Sequence, residues 1–341
     1  MKGLVVKNDG RVRLVNDIPM PAVTEYTCLA RTVACGICNG TDLKLVEGHL
    51  SGYDTYPAVL GHESVGEIVE TGKKVRSFKP GDRVLRSSLE NSNRYFSLWG
   101  GFAEYTRVVD YQAMIADGLH CDEGLCTMQA IPSSIDPQKA VMIITLKEVY
   151  SAMRRLGVRP GMRVAVAGCG PVGLAMVNCL KRMGAGAVAM LGHHDDRLAK
   201  AQKLGADLAV NTRSEDAEEA LKRAGMERLD MYIDAVGRNA LVNQALRLVR
   251  PDDGVIGVYG IGLDGRTPLA LDKAPYNFSI RSVQWPVPAL EREAHESVIG
   301  TVLDGGFDLD DYVTHVLPVE AFEEGFGYVR DRKALKVSLY F

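Results

Sequence analysis

Apolar and polar positions change their period along this chain, and the change divides it. From residue 1 to about 150, short apolar runs such as residues 27–34 and 64–70 are separated by Gly, Pro, Asn and Asp clusters. That pattern predicts a mostly β region. Residues 140–156 carry apolar positions at helical spacing, and beyond Pro160 and Gly161 strands and helices alternate. Strands are predicted at 164–167, 188–191, 208–210, 231–234, 254–260 and 279–285, with helices at 172–180, 197–204, 213–224 and 241–248. Such alternation predicts a doubly wound parallel sheet with right-handed crossovers. A helical stretch follows Pro288, and residues 312–319 and 336–341 read as β again. The ends of the chain are therefore expected to share one domain, 1–150 with 288–341, around an inserted α/β domain, 151–287.

The junction between the first strand and first helix of the α/β region carries Gly168, Gly170 and Gly173, with Pro171 and Val172 between. A G-x-G-x-x-G run between a strand and a helix is the context in which the motif binds a dinucleotide. Gly168 allows the tight turn, Gly170 lets a pyrophosphate approach the backbone, and Gly173 lets helix and strand pack closely. The helix N-terminus offers free N–H groups and a positive dipole end to the phosphates.

Composition narrows the picture by exclusion. At 341 residues the chain exceeds the size at which one core stops growing. A net charge of −3 points to neither nucleic acid nor an anionic membrane as partner. No apolar run reaches the roughly 18 residues of a membrane helix. Residues 1–7 read as a strand and lack the features of a signal peptide. Seven scattered cysteines argue against a disulfide framework and for a reducing, cytoplasmic setting.

Candidate chemistry lies in the first domain: Cys35 and Cys38, then Thr41 and Asp42, a lone His49, and His62 with Glu63. Thiolate, imidazole and carboxylate together suit Zn²⁺ with a position left open. Each residue alone has a bland reading: a small buried thiol, a satisfied half-buried histidine, a solvated strand carboxylate. The set together, upstream of a dinucleotide fold, favours a metal site.

At these residues the chain resembles the medium-chain dehydrogenases/reductases, in particular the zinc-dependent alcohol and polyol dehydrogenases such as those acting on sorbitol, threonine and glucose. The matching motifs are Gly36-Ile-Cys38, Gly40-Thr-Asp42, Gly61-His-Glu63, residues 66–72, Gly81-Asp-Arg-Val84, residues 154–161, the glycine fingerprint and Leu204-Gly-Ala-Asp207. The resemblance implies a GroES-like β-rich catalytic domain with a Rossmann cofactor domain inserted before its last segment. It implies Cys38, His62 and Glu63 as zinc donors, Thr41 as proton relay, and Asp42 as the carboxylate that orients the histidine. The chain departs from the pattern in four places. Asn39 is an extra residue after the cysteine. Ile143 or Ile144 occupies the third-ligand position, with Glu148 a turn further on. Lys44 replaces a histidine. Residues 86–101, where four cysteines usually hold a structural zinc, contain none, so one catalytic zinc and no structural zinc are expected. Cys121 and Cys126 are read as small buried hydrophobes.

The acidic residue that normally accepts the NAD ribose falls on Gly192. His193, His194 and Arg197 can hydrogen-bond a 2′-phosphate, while Asp195 and Asp196 cut against one. NADP is expected over NAD. The expected reaction interconverts a polar secondary alcohol (a polyol, sugar, cyclitol or amino alcohol) and its ketone, with zinc as Lewis acid and hydride passing to the nicotinamide. Tyr95, Phe96 and Trp99, and the segment 276–285, are substrate-facing or plain packing. Two alternatives stay open: a zinc-free NADPH-dependent quinone or enone reductase, and a non-catalytic NADP(H) sensor. Strand pairing between cofactor domains, common in the family, implies a homodimer or homotetramer.

Overall fold

The structure is a computed structural model and describes residues 1–50, 52–262 and 266–341. It divides into two units, Met1–Lys147 with Pro288–Phe341, and Glu148–Val287.

The first unit is built on a seven-stranded sheet whose central member is Thr27–Ile37. That strand is antiparallel to Glu63–Thr71 and to the C-terminal Lys336–Tyr340, with Gly36 opposite both Glu63 and Ser338. Tyr105–Val109 pairs with its first half. Near its end both faces are covered, Ile37 lying against Gly325 and Cys35 against Gly61, so burial is continuous rather than alternating. A four-stranded sheet of Val12–Val15, Gly3–Val6, Ala58–Val59 and Phe96–Ser97 completes the β layers. Between them run residues 86–101. This stretch is fastened by hydrogen bonds: Tyr95 OH donates to Asp17 Oδ1 at 2.7 Å, and Ser97 N–H donates to Asn91 Oδ1 at 2.8 Å.

The return segment enters this unit through Pro288–Glu293 and His295–Leu303. It is held by a buried polar network. Glu291 is 1% exposed and takes a bidentate pair from Arg86, Nε–Oε1 2.8 Å and Nη2–Oε2 3.0 Å. Lys147, fully buried, donates to Gln129 Oε1 at 2.8 Å and lies 4.0 Å from Glu291. His295 faces Ala130 O at 3.0 Å through Nε2. A carbonyl only accepts, so Nε2 carries the proton and Nδ1 is a bare, buried acceptor. Burial, with Lys147 nearby, pushes the His295 imidazole down to about 4 from 6.5.

Because the folded pKa lies below the unfolded one, the fold disfavours the proton. The contribution of neutral His295 is whole above pH 6.5 and is lost as pH falls from there towards 4, by about 3 kcal/mol in all. In His295→Gln the amide still donates to Ala130 O, so urea midpoints of the variant are expected to fall less steeply than wild type over that window. Parallel slopes would contradict this.

The second unit is a six-stranded parallel sheet in the order Leu208–Asn211, Ala187–Gly192, Arg163–Ala167, Met231–Asp234, Asp252–Val258, Asn277–Ser282. This is the doubly wound order, with the chain reversing direction across the sheet beside Arg163–Ala167. The inner strands are buried on both faces and read as unbroken apolar runs. One face packs Val210, Leu221, Leu229, Tyr232, Leu246 and Ile256 into a common core. The helix predicted at 213–224 begins only at Ala217, because the Asp216 side chain accepts from Glu218 and Glu219 N–H groups and caps it there.

Candidate active site

Cys38 sits where the central strand ends. Its N–H donates to Asp42 Oδ2 at 2.8 Å, and Asp42 N–H returns to Cys38 O at 3.2 Å. The turn absorbs the extra Asn39 and sends Asp42 back, fully buried, beneath the cysteine. Thr41 starts the short helix Asp42–Val46, and its side chain caps nothing. His62 and Glu63 lie across the sheet. Gly61 before them has φ +105°, and a Cβ there would meet Phe102 N at 2.6 Å and Cys35 Sγ at 2.9 Å, so only glycine fits this bend. Gly36 makes room in the same way: a Cβ on it would lie 2.5 Å from Glu63 Oε2.

These turns bring Cys38, His62 and Glu63 together, with one donor atom from each within 4.8 Å of the others. His62 Nδ1 lies 3.7 Å from Asp42 Oδ1, and both atoms are buried without a hydrogen bond. A zinc-binding histidine ordinarily donates its second ring nitrogen to a carboxylate. Asp42 stands in that place, which leaves Nε2 as the nitrogen for a metal. Burial pushes the Asp42 carboxyl up to about 7 against the pull of His62. A soft thiolate, an imidazole with a carboxylate behind it and a second carboxylate form a donor set that fits zinc.

Glu63 is not idle without a metal. Lys336 Nζ, buried, reaches both its oxygens at 2.6 and 2.5 Å, and the Thr145 hydroxyl donates to Oε1 at 2.9 Å. Burial pushes the Glu63 carboxyl up, but Lys336 and His62 outweigh it and hold it below the ordinary value. Lys336 is held above its ordinary value, its burial offset by Glu63. A metal can take an oxygen from Glu63 only by loosening this pair.

Ile143 and Ile144 are fully buried and offer no donor, and Glu148 is not among the clustered residues. His49 is on the surface 3.5 Å from Glu47. Cys35 is buried against Gly61, Cys121 half-buried and Cys126 buried. Burial keeps all three thiols above their ordinary pKa. Of the three aromatics in residues 86–101, Tyr95 turns to Asp17 and Phe96 lies on the four-stranded sheet. Of the three, Trp99 approaches the Cys38–His62–Glu63 cluster, its ring 5.2 Å from that of His62.

In the second unit Gly168 has φ +114° and Gly170 caps the helix Pro171–Arg182, with Pro171 in its first turn. A Cβ on Gly173 would lie 1.8 Å from Gly168 O, so strand and helix meet only across glycine, whereas at Gly170 the space is open. Val172 follows in the same first turn. A Cβ on Gly192 would lie 2.5 Å from Cys169 Sγ. Beyond it His193 is exposed and its Nδ1 is 2.9 Å from Thr212 Oγ1. Asp195 Oδ1 accepts from Asn211 Nδ2 at 2.6 Å. His194 is half-buried, and Arg197 is buried rather than extended into solvent.

Sequence reasoning missed Lys336 and Thr145. The available signal was a lone charge, Lys336, opening an otherwise uncharged strand read as buried, since a buried cation requires a partner.

Comparison with known proteins agrees with this geometry. Residues 25–117 match the alcohol dehydrogenase GroES-like domain, and residues 171–286 match the zinc-binding dehydrogenase domain. Sorbitol dehydrogenase of Bacillus subtilis (strain 168) is 30% identical over 278 residues, covering 79% of this chain and 77% of its own. L-threonine 3-dehydrogenase of Bacillus velezensis is 27% identical over 351 residues, covering 99% and 98%. The structure of alcohol dehydrogenase TADH from Thermus sp. ATN1 aligns over 100% of this chain and 99% of its own, with a TM-score of 0.79 and 26% identity. The chain belongs to the zinc-type medium-chain alcohol and polyol dehydrogenases.

Proposed function

We propose that this dehydrogenase interconverts a polar secondary alcohol and its ketone at one zinc held by Cys38, His62 and Glu63, with NADP preferred to NAD. The observation that carries this reading is the convergence of those three donors in front of the buried Asp42. Bound there, zinc supplies a Lewis acid for the alcohol oxygen. Asp42, 3.7 Å from His62 Nδ1, is the carboxylate that would orient the ring and set its tautomer once that gap closes to a hydrogen bond. Thr41, whose hydroxyl caps nothing, takes the alcohol proton towards solvent. Glu63 tempers the site's charge, with Lys336 and Thr145 holding its carboxylate in place. Sorbitol and threonine are the alcohols named for two relatives, and both are polar secondary alcohols. A panel of polyols, sugars, cyclitols and amino alcohols is expected to include one oxidised only by zinc-loaded protein. Metal-independent reduction of quinones or enones, with no alcohol turned over, would favour the zinc-free reductase. The lack of a donor at Ile143 and Ile144 keeps that reading in view.

For the cofactor, the Rossmann-type unit offers the glycine turn to the pyrophosphate. Gly192 carries no carboxylate to repel a 2′-phosphate, and Cys169 enforces that glycine sterically. The exposed His193, steadied by Thr212, is the residue best placed to donate to the phosphate. Arg197, being buried, has a lesser part than its charge suggests. NADPH is expected to bind at least about tenfold tighter than NADH, about 1.4 kcal/mol. The double variant Cys169→Gly/Gly192→Asp makes room for an acid and is expected to reverse the order. Nicotinamide fluorescence titration reads both, and tighter NADH binding by the wild type would reject the preference.

The assembly is read as a homodimer or homotetramer. Asn277–Ser282 is an edge strand of its sheet, with Ile280 40% exposed and Tyr276 beside it wholly exposed. An open sheet edge carrying exposed apolar side chains is a place for strand pairing with another copy. Light scattering is expected to give at least twice the chain mass of 37.1 kDa, and a monomer would reject this. No helix among the described residues is long and apolar enough to cross a membrane. The setting is read as cytoplasmic from the seven scattered cysteines of the sequence.

A further inference from the structure

Trp99 has a backbone that a bulky residue rarely adopts. Its φ is +69°, in the left-handed region, and Gly100 follows at +76°. For an aromatic residue such a conformation is a genuine outlier, and it persists only where the surroundings over-determine it. Here they do. Leu89 N–H donates to Trp99 O at 2.8 Å, and the Trp99 ring stacks on Tyr53 with centroids 5.3 Å apart and an interplanar angle of 23°. Tyr53 lies on a turn tied down by Tyr56, whose hydroxyl donates to Leu45 O at 2.7 Å. The result is an aromatic wall, Trp99 and Tyr53 each half-buried, whose indole is tilted 57° to the buried His62 ring at 5.2 Å. Any group bound at the Cys38, His62 and Glu63 donors lies beside this wall.

We infer that Trp99, backed by Tyr53, is the residue that selects the substrate, and that the substrate class is a cyclic polyhydroxy alcohol, a sugar ring or cyclitol, rather than an open-chain polyol. This rests on the dehydrogenase reading above. The face of an indole is negative and flat. A pyranose or cyclitol ring presents several C–H bonds on one side, each made electron-poor by its neighbouring oxygen, while its hydroxyls point outwards. It lies on the indole with no rotors to freeze. An open-chain polyol must order several torsions to cover the same area, which weakens its binding.

The test uses a matched set: myo-inositol and D-glucose as rings, and sorbitol as an open chain of the same carbon count. The protein has two tryptophans, so in a Trp285→Phe background Trp99 is the sole indole reporter. Ring alcohols are expected to change its emission saturably, at concentrations at least about tenfold below sorbitol, the scale of one aromatic contact. In steady-state kinetics, Trp99→Asn suits the left-handed backbone and removes the π-face. It is expected to lower the ring-to-chain ratio of kcat/KM about tenfold through KM, with zinc content retained, while Trp99→Phe loses less. Sorbitol saturating Trp99 at equal or lower concentration would overturn the inference, as would an unchanged ratio in Trp99→Asn. If the wild type oxidises no alcohol with either nicotinamide, the dehydrogenase reading fails, and the emission titration still decides whether ring alcohols rest on Trp99.

Discussion

Lys336→Met is expected to cost the metal-free protein about 3–5 kcal/mol, because among the described residues it leaves the buried Glu63 carboxylate hydrogen-bonded by the Thr145 hydroxyl alone. Glu63 and Lys336 are each 2% exposed, and both Glu63 oxygens accept from the ammonium. Removing one member of such a pair is far costlier than removing both, since the remaining charge keeps its desolvation penalty. The double variant Lys336→Met/Glu63→Gln is therefore expected to recover part of the loss. Zinc changes the balance. Freed from Lys336, Glu63 can turn an oxygen to a metal at Cys38 and His62, so the loss in zinc-loaded protein is expected to be smaller. Chemical unfolding with chelator and with zinc measures both. An equal loss in the two conditions would show that Glu63 does not reach the metal and that the donors are Cys38, His62 and solvent.

The second large effect is at Cys38. Cys38→Ala removes the only thiolate of the cluster and is expected to abolish zinc retention. With it goes the several kcal/mol of transition-state stabilisation a Lewis acid supplies, on the order of 10³-fold or more in kcat/KM. Asp42→Asn tests the same centre one step back. The amide keeps the size but weakens the hold on His62 Nδ1, and metal affinity is expected to fall about 10- to 100-fold. The pair separates a donor from a residue that orients one. If Asp42→Asn binds zinc as wild type does, Asp42 contributes to the turn through Cys38 N–H and not to the metal.

The doubly wound sheet was legible because its inner strands are buried on both faces and separated by amphipathic helices, so period and length both registered. The glycine fingerprint was legible because its tightest requirement is local: a Cβ on Gly173 would meet Gly168 O within one strand–turn–helix, whereas the Val236 side chain that crowds Gly168 comes from beyond another strand. The helix Phe322–Arg330 was not anticipated. Its two glycines weaken its propensity, and it owes its place to the burial of Phe322, Phe326 and Val329. The clustering of Cys38, His62 and Glu63 could be expected from motif and spacing, but what surrounds them could not. Lys336 meets Glu63 across 273 residues, through the pairing of the last strand with Thr27–Ile37. Nothing local marks Thr145 as the hydroxyl that completes that pair, and a left-handed tryptophan has no signature in sequence. The burial of Arg197 was not legible either, since its charge in a loop-to-helix position reads as an exposed side chain.

The account depends on a metal at Cys38 and His62, so metal content by mass spectrometry on freshly purified protein tests it most directly, with Cys38→Ala measured alongside. About one zinc per chain in the parent, lost in the variant, is the predicted result. A parent protein grown with ample zinc that carries none, or a variant that keeps it, would contradict the assignment of this cluster as the catalytic centre.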